Sequence, residues 1–174
     1  MDGLWSLGIY QGPLKRAIQK LKYEPFLVKD FAPVLMDITV KYWQKYSPHL
    51  FDLIRKNQSQ WVIIPVPLHW FRENRRGFNQ AKLLGQILSK KLGLGYCEAL
   101  KRIRYTRPQV KLKGEQRRKN IFGAFALSPN CNLSPVTCAL LIDDVWTTGS
   151  TMRECCYVLK RNGAQKVWAL TLAR

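Results

Sequence analysis

The sequence predicts an α/β domain with a parallel sheet flanked by helices, and three observations carry that expectation. Residues 136–142, 149–162 and 167–172 read as strand, helix and strand, which makes a βαβ unit with a right-handed crossover. Residues 61–64 and 79–92 read as an earlier strand and helix joined by a loop. Between the strand at 136–142 and its helix stands a turn of acids, hydroxyls and one glycine, at the carboxyl end of the strand, where open α/β sheets bind ligands.

Taken in order, residues 13–23 form an amphipathic helix. Gly12 and Pro13 punctuate its start, and Leu14, Ile18 and Leu21 share one face. Residues 27–46 continue in helix, with an interruption expected near Pro33. Their aromatics Tyr42, Trp43 and Tyr46 suit core or interface packing, which leaves a homodimer open. The run Trp61, Val62, Ile63, Ile64 is short and β-branched, and Pro65 and Pro67 end it, so it reads as a buried strand. After a loop of about a dozen residues, Ala81, Leu84, Ile87, Leu88 and Leu92 recur at helical spacing, and Gly93 closes that helix. Residues 97–127 read as irregular and basic, ending in a strand around 122–127, and 130–135 as a turn. One domain, 1–174, is expected: a mainly helical part over 1–58 and an α/β core over 59–174.

The composition is that of a folded soluble chain, 174 residues with 47% hydrophobic and 23% charged. No apolar run approaches the ~20 residues that span a bilayer. Residues 1–10 lack the basic start and small-residue cleavage site of a signal peptide. A cytoplasmic protein with no membrane span is therefore expected. Lys and Arg total 29 against 11 Asp and Glu, a net +18, which favours anionic partners such as nucleic acid or phosphorylated metabolites. Residues 101–119 alone hold nine basic side chains against Glu115. A run this dense repels itself, so a mobile segment that orders on a polyanion is expected there. The five cysteines include no C-x-x-C pair, and His49 and His69 are not placed as zinc ligands would be. They read as reduced, small apolar residues, and no zinc is expected.

The most informative segment is 139–151. Apolar residues 139–142 deliver Asp143 and Asp144 to a strand end; Thr147, Thr148, Gly149, Ser150 and Thr151 then open a helix. Carboxylates accept hydrogen bonds from vicinal hydroxyls. A helix N-terminus rich in hydroxyls, with a glycine allowing close approach, takes a phosphate. A ribose 5-phosphate presents both kinds of group.

All 13 residues of this segment resemble the phosphoribosyl-pyrophosphate signature of type I phosphoribosyltransferases. Further stretches resemble the ComF family, competence-protein relatives of amidophosphoribosyltransferases: 65–69, Arg76-Gly77-Phe78-Asn79-Gln80, Thr106-Arg107-Pro108-Gln109, 117–120, 123–125 and 170–174, with 10–14 and 21–23 nearer the start. Two departures stand out. Members commonly begin with a cysteine-rich zinc module, and this sequence starts after its place. Trp146 stands where the family has an aliphatic or small residue, and is expected to narrow the ribose site or pack under it.

The resemblance implies a type I phosphoribosyltransferase-like parallel sheet flanked by helices, binding phosphoribosyl pyrophosphate and Mg2+. Asp143 and Asp144 would hold the ribose hydroxyls directly or through Mg2+, and residues 147–151 the 5-phosphate. Val66, Pro67, Leu68 and His69 match the place of the pyrophosphate loop, followed by Arg72, Arg75 and Arg76. His69 reads either as an acid or base or as a residue that shapes the loop. The basic stretch 101–119 falls where these enzymes carry a flap. The implied chemistry is displacement of pyrophosphate by a nitrogen nucleophile. The alternative is a non-catalytic competence protein that acts in uptake or processing of single-stranded DNA.

Overall fold

The computed structural model describes residues 1–106, 120–129, 131, 133 and 138–174. Five parallel strands form the main sheet in the order β1 (Gly3–Gly8), β7 (Lys166–Ala173), β6 (Cys138–Val145), β2 (Trp61–Pro65), β3 (Gly95–Tyr96). The central strands are apolar on both sides because both sides are covered. Trp61 and Ile63, Leu140 and Ile142, and Leu170 and Leu172 point to one core. Val62 and Ile64, Ala139 and Leu141, and Val167 and Ala169 point to the other.

The first core is capped by four helices: α1 (Gly12–Tyr23), α2 (Pro25–Tyr46), α3 (Pro48–Lys56) and α5 (Gln80–Leu92). The second is capped by α6 (Ser150–Arg161) and by a two-stranded antiparallel ribbon, β4 (Leu100–Arg102) with β5 (Phe125–Leu127). Thus α5 carries the chain from β2 to β3 over one face, and α6 carries it from β6 to β7 over the other. The two crossovers depart in opposite directions from adjacent strands. In an open α/β sheet, a ligand crevice forms at such a reversal.

Several expectations are corrected here. Helix α2 runs unbroken through Pro33. The proline removes one hydrogen bond, but buried Val28, Ala32, Leu35, Met36, Thr39 and Trp43 form one continuous stripe that holds the helix together. Of its aromatics, Trp43 is core, while Tyr42 and Tyr46 are exposed. The loop after β2 contains a short helix, α4 (Trp70–Arg76), started by His69, whose Nδ1 accepts the Phe71 N–H at 3.3 Å. The irregular stretch holds strands β4 and β5, the latter beginning at Phe125 rather than near residue 122, and β3 stands just before it.

Strand β1 is absent from the sequence reading, where Leu4, Trp5, Ser6 and Leu7 stand between two glycines. It joins the sheet where the Trp168 ring lies across Gly3, so close that a Cβ there would fall 2.1 Å from the ring. Residues 107–119, most of the basic run, lie outside the described residues, as do 130, 132 and 134–137.

Candidate functional site

A cavity of about 780 Å³ opens at the carboxyl ends of β2 and β6, where the crossovers diverge. Strand β6 extends through Val145, so the two acids sit in its last turns of pleat rather than beyond it, with Asp143 opposite Thr171. Both line the cavity. The Asp143 Oδ1 accepts the backbone N–H of Asp144 at 2.8 Å. Burial, and then the Asp144 charge, push the Asp143 carboxyl up to about 7, against the opposing pull of that N–H, Lys22 and Arg102.

The turn beyond β6 is shaped by one close approach. Gly149 has φ +70°, and a Cβ there would lie 2.1 Å from the Trp146 ring. Trp146 therefore packs against the turn and also lines the cavity, with the Arg153 guanidinium 5.8 Å from its ring. Thr147, Gly149, Ser150 and Thr151 line the cavity too. Thr148 does not; its hydroxyl bonds that of Ser150 at 3.0 Å. The first turn of α6 aims backbone N–H groups that no helical carbonyl takes, and the positive end of its dipole, toward this space.

The turn after β2 forms the facing wall. Val66, Pro67 and Leu68 line it, together with Arg72, Arg75 and Arg76 of α4. Asn79 ties this wall down: its amide donates to the Val66 carbonyl at 3.1 Å while its oxygen caps α5 through the Ala81 N–H. His69 is not brought to the cavity. It is buried in an aromatic cluster with Trp70 and Tyr105, and burial, then Arg102 and Arg72, hold its pKa below the usual value. Its role in this arrangement is to start α4.

Two cations of the site escaped the sequence reading. Arg102, on β4, sits within the basic run but was not distinguishable from its neighbours. Its guanidinium lines the cavity, packs over Phe125, and bonds the Thr106 hydroxyl. Its Nε is buried with no partner among the described residues. Burial and then Arg72 lower its pKa to about 10, which still leaves it cationic. Such a half-satisfied buried cation suits an incoming anion. Lys22, at the end of α1, bonds Asp144 Oδ2 at 2.9 Å. Burial works against its charge, but Asp144 and then Asp143 hold the ammonium above the usual lysine range. In the sequence Lys22 was one lysine among many.

The donor set fits a hard divalent cation. Two carboxylates stand beside a phosphate-type turn, and Mg2+ takes one or two protein carboxylates with ligand oxygens completing its shell. Among the described residues no group of three His, Cys, Asp or Glu side chains forms a closed metal cage.

No family model matches the chain. Competence protein F of Haemophilus influenzae is 35% identical over 177 residues, covering 99% of this chain and 73% of that protein. DNA utilization protein YhgH of Escherichia coli O157:H7 is 44% identical over 111 residues, 62% of this chain and 48% of that protein. Competence protein ComFC of Bacillus subtilis is 31% identical over 122 residues, 67% of this chain and 45% of that protein. The chain thus spans less than half the length of the last two. Among solved structures, adenine phosphoribosyltransferase from Leishmania tarentolae aligns over 98% of this chain and 89% of its own, with 13% identity and a TM-score of 0.45.

Proposed function

The chain belongs to the competence protein F family, and from that premise we propose that its cavity binds phosphoribosyl pyrophosphate with Mg2+ and transfers the phosphoribosyl group to a nitrogen nucleophile. One observation carries this reading: an acid pair, a hydroxyl-glycine helix start and a set of arginines converge on one cavity at the reversal of the sheet. Each suits a different part of one molecule. Asp143 and Asp144 would accept hydrogen bonds from the ribose hydroxyls, the 147–151 turn would seat the 5-phosphate, and Arg72, Arg75, Arg76 and Arg102 would face the diphosphate.

As the bond from C1 to the diphosphate breaks, the sugar ring becomes cationic. The nearby carboxylates stabilise that charge, as paired acids do in glycoside cleavage. The arginines draw the departing diphosphate away from it. Mg2+, when bound, would neutralise part of the diphosphate charge. The reading calls for no zinc, and Cys138, Cys155 and Cys156 are buried as small apolar groups. The test is release of diphosphate from phosphoribosyl pyrophosphate by the purified chain with Mg2+ and a panel of nitrogen acceptors. Acceptor-dependent release is expected, and release no faster than in buffer with every acceptor would reject the transferase reading.

A second reading has its own observation. Trp70, Phe71 and Tyr105 are 65%, 50% and 53% exposed. Their rings and that of His69 form a chain of contacts, three edge-to-face and the His69–Trp70 pair tilted, with centroids 5.1–6.3 Å apart. Exposed rings beside arginines make a stacking platform for single-stranded nucleic acid, and the relatives' names, competence and DNA utilization, point the same way. Binding of a thymidine oligomer that falls with salt and weakens about tenfold in Trp70→Ala would support it. Equal binding by the variant would count against it.

A further inference from the structure

Among the described residues, the cavity cation in salt-bridge contact with an acid comes from α1, an element that neither strand-to-helix turn includes. Lys22 Nζ lies 2.9 Å from Asp144 Oδ2, with side-chain exposures of 20% and 12%. Exposed lysine–carboxylate pairs contribute little. This pair is mostly buried, so an unpartnered Asp144 would carry a desolvation cost that Lys22 offsets.

The lysine is also held in place from both sides. Ile18 and Leu21 are core residues. Gln80 Nε2 donates to the Leu21 carbonyl at 3.5 Å, and the Arg76 guanidinium lies 5.8 Å from the Tyr23 ring. Tyr10 and Tyr23 line the cavity beside Lys22. Helix α1 therefore presents a charge to the acid pair from a fixed base on a flexible four-carbon stem.

An ammonium and a divalent cation repel when they share one carboxylate. A bare metal ion must displace Lys22 and leave it without a partner. A metal that arrives with a diphosphate brings an anion to which the stem can swing. We propose that Lys22 is a specificity-determining residue that makes the acid pair refuse a free divalent cation and accept it as the complex with an anionic sugar phosphate. The proposal rests on the assignment of the acid pair to a metal-bound phosphoribosyl diphosphate.

The test is Mn2+ binding to the full chain by electron paramagnetic resonance, with and without inorganic diphosphate. Lys22→Gln and Lys22→Met are expected to bind free Mn2+ on the order of tenfold more tightly than wild type. Lys22→Arg, which keeps the charge, is expected to stay near wild type. With diphosphate present, the gap between wild type and Lys22→Gln should close to about twofold. Free Mn2+ affinity unchanged in variants with wild-type circular dichroism overturns the role of Lys22. Should neither neutral variant fold, the wild-type chain decides: diphosphate must tighten Mn2+ binding about tenfold, and no tightening overturns it. Asp144→Asn separates the two levels. If that variant binds Mn2+ and phosphoribosyl pyrophosphate as wild type does, the assignment of the acid pair has failed. If it loses both while Lys22→Gln is unchanged, only the role of Lys22 has failed.

Discussion

The turn after β6 and the turn after β2 leave the same end of one sheet from adjacent strands, and they are built from opposite materials. The first offers two carboxylates, hydroxyls and a glycine pressed against Trp146. The second offers prolines and then a short helix carrying three arginines to the cavity. One turn works through backbone shape and the other through side-chain charge. A backbone cradle needs contiguous residues, because successive N–H groups must point at one spot. A charge wall does not, and it recruits Arg102 from a separate ribbon. The division predicts that damage to each turn should be selective.

The largest effect is expected at the acids. Asp143→Asn with Asp144→Asn should weaken phosphoribosyl pyrophosphate at least about a hundredfold by calorimetry while leaving the unfolding cooperative. Wild-type affinity in the folded double variant would remove the ribose from this turn.

Gly149→Ala comes next. It meets both the positive φ and the Trp146 ring, so a loss of about 2–4 kcal/mol in stability is expected by denaturant unfolding. Trp146→Ala opens space for that Cβ, and the double variant should recover part of the loss. No recovery would mean that φ strain alone dominates.

Arg102→Gln sharpens the contrast. It should weaken diphosphate about tenfold and leave ribose 5-phosphate nearly unchanged. Equal loss for both ligands would erase the division between the turns.

The smallest effect is in pH. The raised Asp143 pKa favours the protonated acid in the folded state, so its contribution is complete below about 4 and is lost as pH rises through about 7. His69, held below its ordinary value of 6.5, has the reverse sign: its contribution is present above 6.5 and is lost as pH falls. Relative to wild type, the melting temperature of Asp143→Asn should rise by a few degrees between about pH 4 and 8. That of His69→Asn, which keeps a capping oxygen, should fall as pH rises towards 6.5 and stay level above it. Parallel trends would contradict the assigned environments.

The same contrast explains what the sequence made legible. The β6 turn is contiguous, so 139–151 exposed both its strand and its chemistry, and seven of its site residues were named in order. Asp143, Asp144 and four of the others line the cavity, and Thr148 alone turns to a neighbouring hydroxyl. The β2 turn was legible in its arginines but not in its form, since seven residues of helix α4 are too few to show a period. The sequence leaves His69 open between an acid or base and a residue that shapes the loop; its ring turns to Trp70 and Tyr105, and its Nδ1 starts α4. Lys22 and Arg102 could not be singled out. Their importance comes from tertiary placement, and the sequence holds 29 basic residues with no local sign that distinguishes these two. Strand β1 was hidden for a related reason: its partner is β7, at the far end of the chain.

The central claim is that two unlike turns hold two ends of one molecule, and fragment calorimetry tests it most directly. With Mg2+ present, wild-type chain is titrated with phosphoribosyl pyrophosphate, ribose 5-phosphate and diphosphate. The account predicts that the whole ligand binds at least about a hundredfold more tightly than either fragment, because linking them makes the second contact intramolecular. Phosphoribosyl pyrophosphate binding no more tightly than diphosphate alone would contradict it, leaving a basic cleft with no use for its acids.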